Sequence, residues 1–230
     1  MKLDLAKLDL GGGAKMAEGV LTRPRDRIVE AARDLFHKQG YRGVGVDAIA
    51  EAAGTNKMTL YRHFGSKDDL IVECLRTAIA EGRTYCTGIE TRHPNAPSAQ
   101  LTEWIKVAAE FVESDGRGCD LSNAAVELAD DGHPAHRVIE EFKQEHRDWL
   151  AAICAAAGVA RSELLADILT TLLEGARVAR QSVRRERPPV DFASMATAVV
   201  QAFKEAGAAG RASVRRAAKA SPRSRRSARG

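Results

Sequence analysis

DAIAEAAGTNKMTLYRHF, residues 47–64, is the stretch whose reading decides the fold. Val46, Ile49, Ala50 and Ala53 repeat at helical spacing, so they mark one apolar face of a short helix that Gly54 stops. Thr55 and Asn56 make a tight turn, and a second short helix follows from Lys57 to Phe64. Two short helices joined through a glycine-containing turn form a helix-turn-helix, whose second helix enters the DNA major groove. The inner side chains Ile49, Ala50, Leu60 and Phe64 lock the pair, and the small Ala52 and Ala53 let the helices approach closely. What remains outside is Thr55, Lys57, Thr59, Tyr61, Arg62 and His63, all hydrogen-bond donors of the kind that phosphates and base edges accept.

Working outward, nearly everything between the two ends reads as helix. Pro24 opens a first helix that Gly40 ends in a left-handed cap. Its face is Ile28, Ala31, Ala32, Leu35 and Phe36. Ser66-Lys67-Asp68-Asp69 has the pattern of a capping box and starts a long fourth helix expected to run through about Thr84. Leu101, Trp104, Ile105, Ala108, Phe111 and Val112 mark another amphipathic helix, and helices are expected over 121–130 and 135–157. Leu165, Ile168, Leu169, Leu172, Leu173 and Ala176 lie on a helix apolar enough to be covered on more than one side, over 163–186. A last stripe, Phe192, Met195, Ala196, Val199, Val200 and Phe203, places a helix over 192–205. No stretch alternates with period two, so the expected class is all-α with about nine helices.

The 230 residues, 44% hydrophobic and 29% charged, have an ordinary core-forming composition. No apolar run approaches the ~18 residues that cross a bilayer, which argues against a membrane partner. Cys74, Cys86, Cys119 and Cys154 lie far apart and make neither a Cys-x-x-Cys pair nor a zinc-finger spacing, which fits a reducing cytoplasm. Charge is segregated along the chain. Residues 22–67 hold nine basic and five acidic side chains, 68–210 hold fifteen and twenty-three, and 211–230 hold eight basic and none acidic. A small basic unit beside a larger acidic one suggests that the small unit meets a polyanion. Residues 1–21, with Gly11-Gly12-Gly13, read as a flexible lead, and 209–230 as a disordered basic tail. That tail either tracks phosphates or only solvates the chain. There is no Gly-rich phosphate loop after a strand, no G-x-S-x-G elbow and no H-E-x-x-H, so no enzyme is expected. Glu127, Asp130, Asp131, His133 and His136 cluster locally. Their spacing is that of a helix-starting turn capped by Asp131 rather than of a metal site, and no cofactor is expected.

Residues 24–70 resemble the DNA-binding domain of the TetR family of bacterial transcriptional regulators. The resemblance rests on Ile28-Val29-Glu30-Ala31-Ala32-Arg33-Asp34-Leu35-Phe36, Gly40-Tyr41 and Ile49-Ala50-Glu51-Ala52-Ala53-Gly54. It continues through Lys57, Thr59-Leu60-Tyr61-Arg62-His63-Phe64 and Ser66-Lys67. It implies that Lys57 and Thr59 meet base edges and that Tyr61 and His63 touch phosphate, with Thr55 beside them at the turn. Lys67 would hold a phosphate together with the helix N-terminus. Arg23 and Arg25 would reach phosphates or the minor groove, and Arg42 a further phosphate. Gly45 stands where the family usually has a Ser or Thr cap, Thr55-Asn56 replaces Val-Ser, and Met58 replaces a frequent Gly, so the operator sequence does not transfer.

The resemblance also implies that 22–67 bind a double-stranded DNA operator and that 68–208 form a ligand-binding and dimerisation domain for an unknown small-molecule effector. The homodimer would join through its last two helices and read a pseudo-palindrome. Ligand contacts are expected among aromatic residues and among polar residues in apolar contexts, namely Trp104, Phe111, Asn123, Trp149 and Glu174. Two other readings use the same residues: an architectural DNA-binding protein that senses nothing, and a regulator whose acidic domain recruits a protein.

Overall fold

Pro24 fixes the first turn of α1, Pro24–Gln39, with Asp26 near its positive end and His37 and Lys38 near its negative end. The computed structural model describes residues 23–114, 117–182 and 191–220. After α1 come α2, Val46–Ala52, and α3, Lys57–Phe64, followed by α4, Lys67–Arg92, α5, Pro97–Ser114, and α6, Asp120–Glu127. The chain closes with α7, Pro134–Ala156, α8, Ser162–Ser182, and α9, Phe192–Ala220. Among the described residues there are nine helices and no strand.

Two apolar cores share one long helix. The first gathers Ile28 and Phe36 of α1, Ile49 of α2, Leu60 and Phe64 of α3, and Leu70, Leu75 and Ile79 of α4. It also takes Leu121, Ala124 and Leu128 from the α6 region and Ala135 and Ile139 from the start of α7. The second joins Tyr85 and Ile89 of α4 to α5, the end of α7, α8 and α9, with Trp104, Leu150, Leu165, Leu169 and Phe192 at its centre. The first core therefore continues past residue 67, where the composition suggested a boundary, and the two cores meet along α4.

Three elements depart from expectation. Rather than ending near Thr84, α4 continues to Arg92. Its interior Gly82 and Gly88 each cost about 1 kcal/mol against Ala, while burying Tyr85 and Ile89 gains about 1.5–3 kcal/mol apiece. Gly82 is also a point of close approach, because a Cβ there would lie 2.9 Å from Cζ of Phe142 on α7. On α7 the cap is His133, whose Nδ1 accepts from the Ala135 N–H at 3.1 Å, in place of the expected Asp131. The backbone of α9 runs to Ala220, well into the stretch whose composition read as disordered. Alanine, arginine and lysine are strong helix formers, so a helix already packed at Phe192, Ala196 and Val200 propagates through them. The flexible lead expected over 1–21 and the rest of the basic tail, 221–230, lie outside the described residues.

A cluster of polar contacts ties α6 to the turn after α1. Gly40 is buried with φ +80° and ψ 163°, a conformation essentially reserved for glycine. A Cβ there would come within 2.7 Å of Oε2 of Glu127 on α6. That same oxygen accepts the Tyr41 N–H at 2.6 Å. The Tyr41 hydroxyl donates to the Asp120 carbonyl at 3.2 Å, and His37 Nδ1 lies 2.7 Å from Asp120 Oδ1. Gly40→Ala is expected to destabilise the protein by about 1–3 kcal/mol, or roughly 3–10 °C in Tm for a chain of this size. Thermal melting by circular dichroism checks it, and an unchanged Tm would mean that the turn tolerates a side chain.

Candidate nucleic-acid interface and cavity

The helix-turn-helix is assembled by its backbone. The Thr55 N–H donates to the Ala50 carbonyl at 2.9 Å, the Gly54 N–H to the Glu51 carbonyl at 3.0 Å, and Gly54 has φ +61°. Asn56 caps α3, its side-chain oxygen accepting from the Thr59 N–H at 2.9 Å. Leu60 and Phe64 are buried beneath the helix with Ile49 and Ala50. Lys57, Met58, Tyr61, Arg62 and His63 are exposed on the other side, while Thr55 and Thr59 are half-buried. Met58, 80% exposed, is the large apolar side chain of this face. Arg62 has no ion-pair partner among the described residues, and this leaves its charge on the open face.

The other cations of this region are held to different degrees. Lys57 Nζ lies 3.2 Å from Asp47 Oδ2 of α2 in an exposed pair, which is worth only about 0–1 kcal/mol and is easily exchanged for another anion. Arg25 is tied more firmly, 2.8 Å from Glu73 of α4 and with its guanidinium carbon 5.3 Å from the centre of the Phe64 ring. Lys67, at the start of α4, donates to the Tyr41 carbonyl at 2.7 Å and lies 5.9 Å from the Phe36 ring centre, and burial pulls its pKa below the usual value. Arg23 and Arg42 are exposed.

A cavity of about 840 Å³ lies among α4, α5, α6, α7 and α8, and Arg33 of α1 lines it too. Trp104, Phe111 and Glu174 are on its wall. Asn123 and Trp149 are not, because each is engaged elsewhere. The Asn123 amide donates to the Arg117 carbonyl at 2.7 Å and steadies the approach to α6. The Trp149 indole donates to Glu90 at 2.7 Å, its ring stacked on that of His146. Tyr85, His146, Arg177 and the Arg33–Glu81 pair also line the cavity, although none was among the expected contacts. The sequence did carry signals for two of them. His146 shares a helix face with Phe142 and Trp149, and Arg177 sits three residues after Glu174 on the most apolar helix. Tyr85 was hidden by ending α4 a residue too soon.

His146 anchors the aromatic side of the cavity. The Trp104 indole donates to its Nε2 at 3.3 Å, so in the neutral ring Nδ1 carries the proton, facing Cys86 Sγ at 3.6 Å. Burial, helped by the nearby Arg177, pushes the His146 pKa down to about 4. The same desolvation pushes the Cys86 thiol up to about 12, so the pair is neutral at pH 7. The Cys74 and Cys154 thiols are raised by burial as well. Among the described residues no three of His, Cys, Asp and Glu gather as metal ligands, and His136, from the cluster near 127–136, is bonded to the Leu128 carbonyl at 2.6 Å. No described helix is long and apolar enough to cross a membrane.

A depressed His pKa favours the unfolded state on acidification, since the unfolded chain takes up the proton first. Stability linked to His146 is therefore complete above about pH 6.5 and is lost as pH falls toward 4, by about 2–3 kcal/mol at 1.36 kcal/mol per unit. Urea unfolding of the wild type and of His146→Gln at pH 7.5, 5.5 and 4.5 measures this. The variant should show a clearly shallower acid loss, and parallel curves would remove His146 as the group responsible.

Comparison with known proteins points one way. Residues 28–74 match the family model described as bacterial regulatory proteins, tetR family. The transcriptional activator FasR of Mycolicibacterium smegmatis is 29% identical over 99 residues, which span 42% of this chain and 44% of FasR. The regulator LmrA of Bacillus subtilis is 23% identical over 184 residues, 74% of this chain and 93% of LmrA. Among solved structures, a TetR-family transcriptional regulator from Streptomyces coelicolor superposes with a TM-score of 0.72 at 29% identity, covering 78% of this chain and 95% of its own. With residues 28–74 matching the family model and the helical arrangement matching in space, the chain is similar to the TetR family of bacterial regulatory proteins.

Proposed function

We propose that this protein is a sequence-specific DNA-binding transcriptional regulator, a repressor that a small molecule releases from a pseudo-palindromic operator. The observation that carries this reading is the outer face of α3, where Lys57, Tyr61, Arg62 and His63 stand exposed above a buried Leu60 and Phe64. In this reading 22–67 bind DNA. Lys57 and Thr59 reach base edges, Thr55, Tyr61 and His63 fill in beside them, and Lys67, Arg23, Arg25 and Arg42 hold flanking phosphates. Residues 68–208 sense the effector and dimerise, the protein works in the cytoplasm, and it catalyses nothing.

Dimerisation is supported by α8. Leu165, Leu169, Leu173 and Ala176 are buried within the chain, but a second stripe, with Leu164 and Val178 exposed and Ile168 and Leu172 half-buried, is left open. Ile168, Leu172 and Met195 of α9 line a shallow apolar groove along that stripe, which suits a second copy of the same two helices. Release is supported by the shared cavity wall, built from Arg33 of α1, Glu81 of α4 and Asp120 of α6. A ligand that favours one arrangement of these helices changes the distance between two recognition helices by differential affinity alone. FasR is named an activator, and the sign of regulation depends on where the operator lies relative to a promoter.

Selection of random duplex DNA by the full-length protein tests the reading. An inverted repeat with half-sites about one helical turn or somewhat more apart is expected. Lys57→Ala should then weaken binding to that repeat about 5- to 150-fold, the range for losing a base-edge contact. Recovery of no motif, with binding that vanishes at moderate salt, would overturn the reading in favour of an architectural binder led by its basic tail.

A further inference from the structure

The charges around the cavity are unequally satisfied. Both oxygens of Glu81 are taken by Arg33, at 2.7 Å each. Asp120 is engaged by His37. Arg147 is held by Asp167, and Glu140 is exposed. At the α8 side, Glu174 serves two other partners first. Its Oε2 accepts from the Ser122 hydroxyl at 2.9 Å and its Oε1 from Lys143 Nζ at 3.3 Å. Arg177 is left 4.0 Å from that same Oε1, beyond hydrogen-bonding distance, and it has no hydrogen-bond acceptor among the described residues. Its side chain is nonetheless only 17% exposed and lies over the Phe111 ring at 5.7 Å. Two cations thus share one carboxylate, and the guanidinium that is short of acceptors faces the cavity.

A second orphan supports the same end. Tyr85 lines the cavity, is nine-tenths buried, and its hydroxyl has no hydrogen-bond partner. Burial raises its pKa, so it stays a neutral donor. The neutral His146 adds no charge, and with Trp104, Phe111 and Phe142 it gives the cavity one aromatic side. Donors lacking acceptors, one of them charged, beside an aromatic wall define what fits. A carboxylate offers planar bidentate acceptance to a guanidinium, and rings stack on aromatic faces.

We propose that the cavity takes an apolar, ring-bearing carboxylic acid, its carboxylate bound by Arg177 and its ring against Trp104, Phe111 and Phe142. This rests on the sensing role proposed above. A cationic ligand is disfavoured, because Glu81, Asp120 and Glu174 are already committed to partners.

Isothermal titration calorimetry of the full-length protein with 2-naphthoate, the uncharged 2-naphthamide and the cationic 2-naphthylmethylamine tests it. The carboxylate is expected to bind at least tenfold more tightly than the amide, and the amine most weakly. Arg177→Gln should cut the carboxylate's advantage over the amide to under twofold. Glu174→Gln should strengthen carboxylate binding several-fold by removing the competing anion, so the proposal stays falsifiable even if Arg177→Gln does not fold. Equal binding of carboxylate and amide, a preference for the amine, no binding of any of the three, or an undiminished preference in Arg177→Gln would each overturn it. Operator binding measured with saturating 2-naphthoate separates the two readings. If the carboxylate binds through Arg177 but leaves DNA affinity unchanged, the site stands and the sensing role falls.

Discussion

The contact on which the arrangement depends is the Glu127 carboxylate taking the Tyr41 N–H against a glycine that leaves it room. Because Gly40 has no Cβ, α6 can seat directly on the turn between α1 and α2. Asp120, seven residues earlier, then reaches both His37 and the Tyr41 hydroxyl. Leu121, Ala124 and Leu128 carry the same helix into the core that holds the recognition helix from beneath. Asp120 and Leu121 also line the cavity. One short helix therefore forms part of the floor of the DNA-binding unit and part of the wall of the cavity.

Local features of the fold were legible because their causes are local. Pro24, Asn56 and Ser66 set helix starts through their own backbone and side-chain chemistry, and α1 and α3 begin and end where those signals put them. The length of α4 was not legible, since Gly82 reads as a helix weakener until Phe142, sixty residues later, is seen to need the space. The cavity divides in the same way. Trp104, Phe111 and Glu174 stood out by residue type and do line it. Asn123 and Trp149 stood out equally but are consumed by the Arg117 carbonyl and by Glu90, partners that no spacing rule identifies. Arg177 is placed near Glu174 by its spacing, but that Ser122 and Lys143 hold Glu174 first is a tertiary fact no spacing carries.

The cations of the basic unit fall into two kinds. Arg25 and Lys67 brace the packing: one bridges α1 to α4 over Phe64, and the other closes on the Tyr41 carbonyl above Phe36. Their positions are fixed before any polyanion arrives, so little side-chain freedom is left to lose on contact. Lys57 and Arg62 are loose. The Lys57–Asp47 pair is exposed on both sides and weak, and Arg62 has no ion-pair partner among the described residues. In the proposed complex the fixed cations set register on the backbone while the loose ones adapt to the groove. That division suits a surface that must hold phosphates everywhere and discriminate bases at only a few places.

The same short helix also sets the scale of coupling that the proposed switch can reach. An effector need change operator affinity by only about 5- to 150-fold, a coupling of about 1–3 kcal/mol. Hydrogen bonds to charged groups are worth about 1.5–3 kcal/mol each, and α6 makes one to the turn after α1, through Glu127, and one to the end of α1, through Asp120. Straining or releasing one of them would span the whole range. The Arg33–Glu81 pair is a second tie of the same kind, from α1 to α4, and it lines the same cavity. The Asp120–His37 and Arg33–Glu81 ties join the cavity wall to α1, one of the helices against which the recognition helix packs. In the proposed switch a ligand would not need to push on the DNA-binding surface, because contact with the wall would reach the bonds that hold that surface in place.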